Sequence, residues 1–203
     1  MSAEPSRCGW ATSAPEYAAY HDEEWGTPLH GDDALFERLA LEAFQSGLAW
    51  ITILRKRPAF RAAFAGFAID TVAAFTDDDE ARLMADAGIV RNRAKVRAAI
   101  HNARVAQELP EGLSELLWSF APTDMRPRPG TLADVPAVTP ESTAMAKELK
   151  RRGFVFVGPT TAYALMQATG MVDDHVASCF RAALRHHPDG PALGPGSRIR
   201  DHR

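Results

Sequence analysis

The sequence predicts an all-α fold. Three observations carry this. Apolar residues recur at helical spacing in segment after segment. Most of these segments open on a capping residue or close on glycine. And no pair of alternating runs reads as a hairpin of strands.

"DDALFERLALEAFQSG" (32 to 47) opens with acids that favour a helix N-terminus and stops at Gly47. "WITILRKRPAFRAAFAGF" reads as a second helix, bent or broken near Pro58, which lacks the N–H a helix interior uses. "TDDDEARLMADAGI" starts on a Thr/Asp cap and ends near Gly88. "NRAKVRAAIHNARVAQEL" is a long amphipathic helix and "GLSELLWSFAP" a short one. Residues 122 to 140 hold five prolines and read as an extended connection. "TPESTAMAKELKRRGF" and "GPTTAYALMQATG" supply two further helices. The Pro/Gly-rich tail, 186 to 203, is expected to be disordered. That leaves 1 to 185 as one domain, in one lobe or in two with a pocket between them.

Bulk properties exclude several classes. Of the 203 residues 46% are apolar, enough for a real core. No apolar run approaches the roughly 18 residues of a membrane span. "MSAEPSRCGW" lacks a secretory pattern, so a cytoplasmic protein with reduced thiols is expected. A net charge of −3 speaks against a uniformly basic nucleic-acid binder but leaves room for a local basic face.

The two cysteines lie near opposite ends, each with a histidine: Cys8 with His21, and His175 with Cys179. On a helix, His175 and Cys179 at i, i+4 would share a face. Together the four residues form a Cys₂His₂ set suited to tetrahedral Zn²⁺. Their spacing equally allows a small core cysteine and two ordinary histidines. Were all four to bind, the shell would be closed and the metal structural.

Glu42 follows Leu35 and Leu39 on the apolar stripe of its helix. A carboxylate there needs a partner, a cationic ligand, or a position at the margin that reaches water. Aromatics crowd the same region: Trp10, Tyr17, Tyr20, Trp25 and Trp50. Such a group suits a core, or a cage in which a flat cationic ligand stacks.

"VGPTTA" resembles the hairpin of helix-hairpin-helix DNA-binding proteins, whose backbone N–H groups and following helix N-terminus hold a phosphate. Gly158 would allow close approach, and Thr160 and Thr161 would add hydroxyl donors. Lys147, Lys150, Arg151 and Arg152 precede it, and Phe156 stands where the motif usually has its first glycine.

Taken with "RCGW", "YHDEEWG", "LEAFQSGLAWITILRKR", "DAGIVRNRAKV", "RGFVFVGPTTAY" and "VDDHVASC", the chain is similar to the constitutive type I family of DNA-3-methyladenine glycosylases, from about Arg7 to Cys179. This resemblance implies a helix-hairpin-helix DNA glycosylase fold with a zinc clip joining the N- and C-terminal regions. It implies Cys8, His21, His175 and Cys179 as ligands of one structural zinc. Glu42 would contact the alkylated adenine, and Tyr17, Tyr20 and Trp50, with Trp10 and Trp25, would form the stacking pocket. Leu48 would plug the gap in the duplex. The expected partner is double-stranded DNA carrying alkylated bases, met by a monomer that hydrolyses the N-glycosidic bond without cutting the strand. A non-catalytic lesion-binding module and a glycosylase for other alkylated purines are the alternatives. Some superfamily members carry a catalytic aspartate in a Val-Asp turn. The type I family usually lacks it, yet Asp173 stands at that place here, either assisting catalysis or capping a helix that bears His175 and Cys179.

Overall fold

The computed structural model describes residues 5–124 and 126–181, and among these it contains helices and no strand. The helices are α1 (Pro15–Glu23), α2 (Asp32–Gln45), α3 (Trp50–Ala63), α4 (Ile69–Ala73), α5 (Asp77–Ala85), α6 (Arg93–Gln107), α7 (Leu113–Trp118), α8 (Pro140–Arg152) and α9 (Pro159–Ala168). The tail expected at 186 to 203 lies outside the described residues. Among those described, no helix is long and apolar enough to cross a membrane.

The caps act where the sequence places them. Thr76 and Asp79 close a capping box on α5. The Asn92 side chain accepts from the Lys95 N–H at the start of α6. Thr139 does the same for Ser142, with Pro140 in the first turn of α8. That helix ends at Gly153, whose φ of 103° is a left-handed conformation that glycine adopts without a Cβ clash.

One sequence expectation, a break near Pro58, needs correction. α3 is one unbroken helix with Pro58 inside it. Pro58 lies on the exposed face, while Ile53 and Phe60 anchor the other face. α1 and the short α4 lack strong sequence signals. α1 has no side-chain cap, and of its residues only Tyr20 and His21 are buried.

α2 is the hub. Leu35, Phe36, Leu39, Leu41 and Phe44 are all buried, and the helix packs on α3, α6, α7 and α9. Phe44 meets Phe60 at 4.7 Å, and Phe64 stacks on Phe67 at 5.3 Å, closing the core on the α3 side. The result holds α2 rigid, with the 45–49 turn at one end and Glu42 one turn inside it.

Candidate functional site

The four ligand candidates converge. Cys8, His21, His175 and Cys179 are all buried, and their donor atoms lie within 4.8 Å of one another. His175 Nδ1 is 3.6 Å from each sulfur, and His21 Nε2 is 3.4 Å from Cys179 Sγ. A tetrahedral Zn²⁺ with ordinary Zn–S and Zn–N bonds spans an S···N edge of about 3.6 Å, so the donor set fits such an ion. The outer nitrogens are held as in metal sites. His21 Nδ1 meets Asp22 at 2.8 Å, and Asp22 is held in turn by Arg7. His175 Nε2 faces the Trp25 carbonyl at 3.3 Å. Gly26 makes room for that ring, because a Cβ there would sit 2.9 Å from His175 Nε2. Burial holds His175 down to about 4 and pushes the Cys8 thiol up to about 12 in the protein alone. A bound cation reverses that thiol penalty.

The warrant from helical spacing does not survive. Residues 173 to 178 are irregular, and Cys179 N donates to Val176 O at 2.8 Å in a turn. The pair meets because a loop folds around the metal position, not because a helix aligns it. Asp173 therefore caps no helix. Its Oδ1 accepts from His175 N at 3.3 Å, and Arg128 Nε and Nη2 donate to its Oδ2 at 3.1 and 2.8 Å.

Beside the cluster lies a cavity of about 610 Å³. Trp10, Tyr17, Tyr20, Trp25, Trp50 and Glu42 all line it. Trp10 is edge-on to Tyr17 at 5.8 Å and to Trp25 at 5.2 Å, and Tyr20 lies against Trp50 at 5.6 Å. The Tyr17 hydroxyl accepts from Ile51 N at 2.9 Å, tying α1 to the first turn of α3. The Trp50 indole N–H is buried and has no hydrogen-bond partner among the described residues. Glu42 is 6% exposed, and burial pushes its carboxyl up to about 7, with Arg38 one turn earlier acting the opposite way. A chamber walled by aromatic rings, with the Glu42 carboxylate inside it, can take a flat cationic group by stacking and by charge.

Sequence reasoning missed other parts of the wall. Asp174, not Asp173, lines the cavity, held by Tyr163 Oη, by Gln167 Nε2 at 2.8 Å and by Arg126. Leu132 and Val135 arrive from the Pro-rich connection. Gln45 lines the cavity and donates to the Leu48 carbonyl at 2.9 Å. Leu48 projects from the turn after α2, 38% exposed, between the lining residues Gln45 and Trp50. Lys95 Nζ braces that turn through the carbonyls of Phe44 and Ser46 at 3.0 and 2.6 Å.

The hairpin between α8 and α9 is clamped by buried Asn102, which exchanges two hydrogen bonds with the Val155 backbone at 2.9 and 3.0 Å. Phe156 has φ 60°, the left-handed region that the glycine it replaces would favour. Gly158 and Thr160 are exposed, Thr161 is half-buried, and Gly158 is the N-cap of α9. Much of the nearby basic charge is already paired: Arg93 and Arg97 with Glu80, Arg57 with Glu24, Arg151 and Arg152 with Glu148.

Residues 10–182 match the methyladenine glycosylase family. The chain belongs to that family. Within it, the chain is 45% identical over 177 residues to DNA-3-methyladenine glycosylase 1 of Escherichia coli K12, covering 85% of this chain and 95% of that one. It is 41% identical over 180 residues to DNA-3-methyladenine glycosylase of Haemophilus influenzae, covering 86% and 96%. A crystal structure of 3-methyladenine DNA glycosylase I superposes with a TM-score of 0.82 at 43% identity, covering 86% of this chain and 98% of the other. The Staphylococcus aureus structure described as the basis of 3-methyladenine recognition superposes with a TM-score of 0.81 at 34% identity, covering 93% and 98%. The all-α architecture is thus that of solved methyladenine glycosylases.

Proposed function

We propose that this methyladenine glycosylase excises 3-methyladenine from alkylated double-stranded DNA by hydrolysis, leaving an abasic site. The observation that carries the reading is a buried carboxylate, Glu42, inside an aromatic chamber. Methylation at N3 makes the nucleobase cationic and a good leaving group. Water bonds to C1′, the C1′–N9 pair leaves with the base, which departs neutral, and the water's surplus proton goes to solvent. The protein's harder task is selection. Extrusion costs a few kcal/mol, less for a damaged base. Stacking on Tyr17, Tyr20 and Trp50, with Trp10 and Trp25 behind, returns of order 1–3 kcal/mol per base. Ionised Glu42 favours the cation and accepts from its N–H groups.

Leu48 takes the space the base vacates. The Gly158 turn, Thr160, Thr161 and the start of α9 hold a backbone phosphate, as in helix-hairpin-helix proteins. Zn²⁺ at Cys8, His21, His175 and Cys179 supplies a structural clip and no open coordination position. Asp173, tied to Arg128 and outside the cavity wall, is assigned to holding the loop rather than to catalysis. The protein acts in the cytoplasm, as a monomer.

The deciding experiment is chromatographic detection of 3-methyladenine released from methylated duplex DNA. No release by folded, zinc-replete protein would leave a lesion-binding module, and release of 7-methylated purines at equal rate would broaden the substrate class. Leu48→Ala is expected to slow release from duplex DNA about tenfold while leaving affinity for the free base unchanged. Equal slowing on single strands would remove the wedge role. Asp173→Asn is expected to keep single-turnover release within about tenfold of wild type at unchanged DNA affinity. A larger loss returns this carboxylate to the chemistry.

A further inference from the structure

Arg38 lies outside the cavity wall, yet touches what the wall depends on. It stands one turn before Glu42 on α2 and is 6% exposed. Its guanidinium lies 5.3 Å from the centroid of the Tyr20 ring, which lines the cavity. One arm is paired with Glu24, which Arg57 also holds at 2.9 Å. Its Nη1 is buried and hydrogen-bonded to nothing among the described residues. A buried cation with a donor in reserve is costly unless its charge is used nearby.

We propose that Arg38 is a positioning residue for base capture: from behind the cavity it keeps Glu42 an anion and fixes the Tyr20 face on which the base lies. The inference rests on the proposed function and deepens it. The other titratable or charged groups around the chamber do not serve this end. Tyr17 and Tyr20 come from α1, and burial drives the Tyr20 phenol further from ionisation. The Asp174 carboxyl group, from the loop after α9, is occupied by Tyr163, Gln167 and Arg126. Arg38 is the cation whose attraction opposes the effect of burial on Glu42. Residues four apart share a helix face, and an opposite charge within about 4–6 Å shifts a carboxyl by about one pH unit or more.

The test follows the Glu42 side-chain carboxyl by ¹³C NMR, with Glu42→Gln identifying the signal, and in parallel the pH profile of 3-methyladenine affinity. Glu42→Gln also reports the free base's own titration. Arg38→Met is expected to raise the Glu42 midpoint, and the acid limb of affinity, by about one unit, while Arg38→Lys moves both less. In the Glu42→Gln background Arg38→Met should move no midpoint. A unchanged or lowered midpoint in Arg38→Met overturns the proposal, since a structural role alone lowers affinity without moving it. Should Arg38→Met fail to fold, Glu24→Gln decides. Removing the competing anion is expected to lower the Glu42 midpoint, and no movement overturns the proposal. Wild-type protein that binds no 3-methyladenine at any pH would sink the function instead, and the NMR titration would still judge Arg38.

Discussion

At pH 8 the Glu42→Gln variant is expected to melt several degrees above the wild type and to release base far more slowly. The two effects have one cause. Burial raises the Glu42 carboxyl from 4.5 to about 7 in the folded protein. A carboxyl raised on folding contributes stability that is present below its unfolded value and is lost as pH rises through its folded value. Above pH 7 the wild type therefore carries a penalty of about 3 kcal/mol, at 1.36 kcal/mol per unit. Glutamine removes the charge but still buries a polar amide, which takes back a part. A net gain of about 1–2 kcal/mol corresponds to roughly 2–8 °C for a chain of this size. Below pH 4.5 both side chains are neutral and the melting difference should vanish. Activity moves the other way. A hydrogen bond to a charged group is worth about 1.5–3 kcal/mol, so single-turnover release should fall ten- to a hundredfold. Calorimetry at pH 4 and 8 beside single-turnover kinetics checks both. A variant that loses stability and activity together would make Glu42 a fold residue.

What was legible depends on how local the cause is. The acids in the first turn of α2, the Thr76–Asp79 box, Asn92, Thr139 and Gly153 each act within a few residues, and the helix spans follow from them. The two Cys/His pairs were visible as residue types, but the reason for their convergence was misread, because a metal-shaped loop and an i, i+4 helix present the same spacing. α1 was invisible for a related reason. Its face is spent on Tyr17, Tyr20 and His21, which look across to α3, the cavity and the metal position, so it carries little apolar periodicity. Glu37 and Arg38 in "LFERLAL" are both buried, their partners Arg57, Arg61 and Glu24 arriving from α3 and from the end of α1. Asp174 and Gln45 line the cavity, and Asn102 clamps the hairpin, only because distant segments meet them. Packing between elements, not propensity within them, decides such residues.

Stripping the metal is expected to lower the melting temperature by about 10 °C and to weaken base capture, although no ligand of the cluster lines the cavity. An ion present at about a thousand times its dissociation constant contributes about 4 kcal/mol to the folded state. For a chain of this length that equals roughly 8–16 °C. A metal held by the four residues would join residue 8 to residue 179, so its loss would free both ends at once. The route to the cavity runs through aromatic rings. Trp25 packs edge-on to His175 at 4.7 Å, and Trp10 packs on His21 at 5.4 Å. Both tryptophans line the chamber, and Trp10 also braces Tyr17 and Tyr20. Histidines released from a metal can turn, and the wall they support turns with them. Elemental analysis of purified protein should find one zinc per chain. Melting and 3-methyladenine affinity measured with chelator, and again after zinc is restored, should fall and recover together. Cys179→Ser should reproduce the loss without recovery at equimolar zinc. Chelator that lowers the melting temperature but leaves affinity untouched would confine the metal to a terminal clip. Chelator without effect on either would leave the four residues a buried cluster of ordinary side chains.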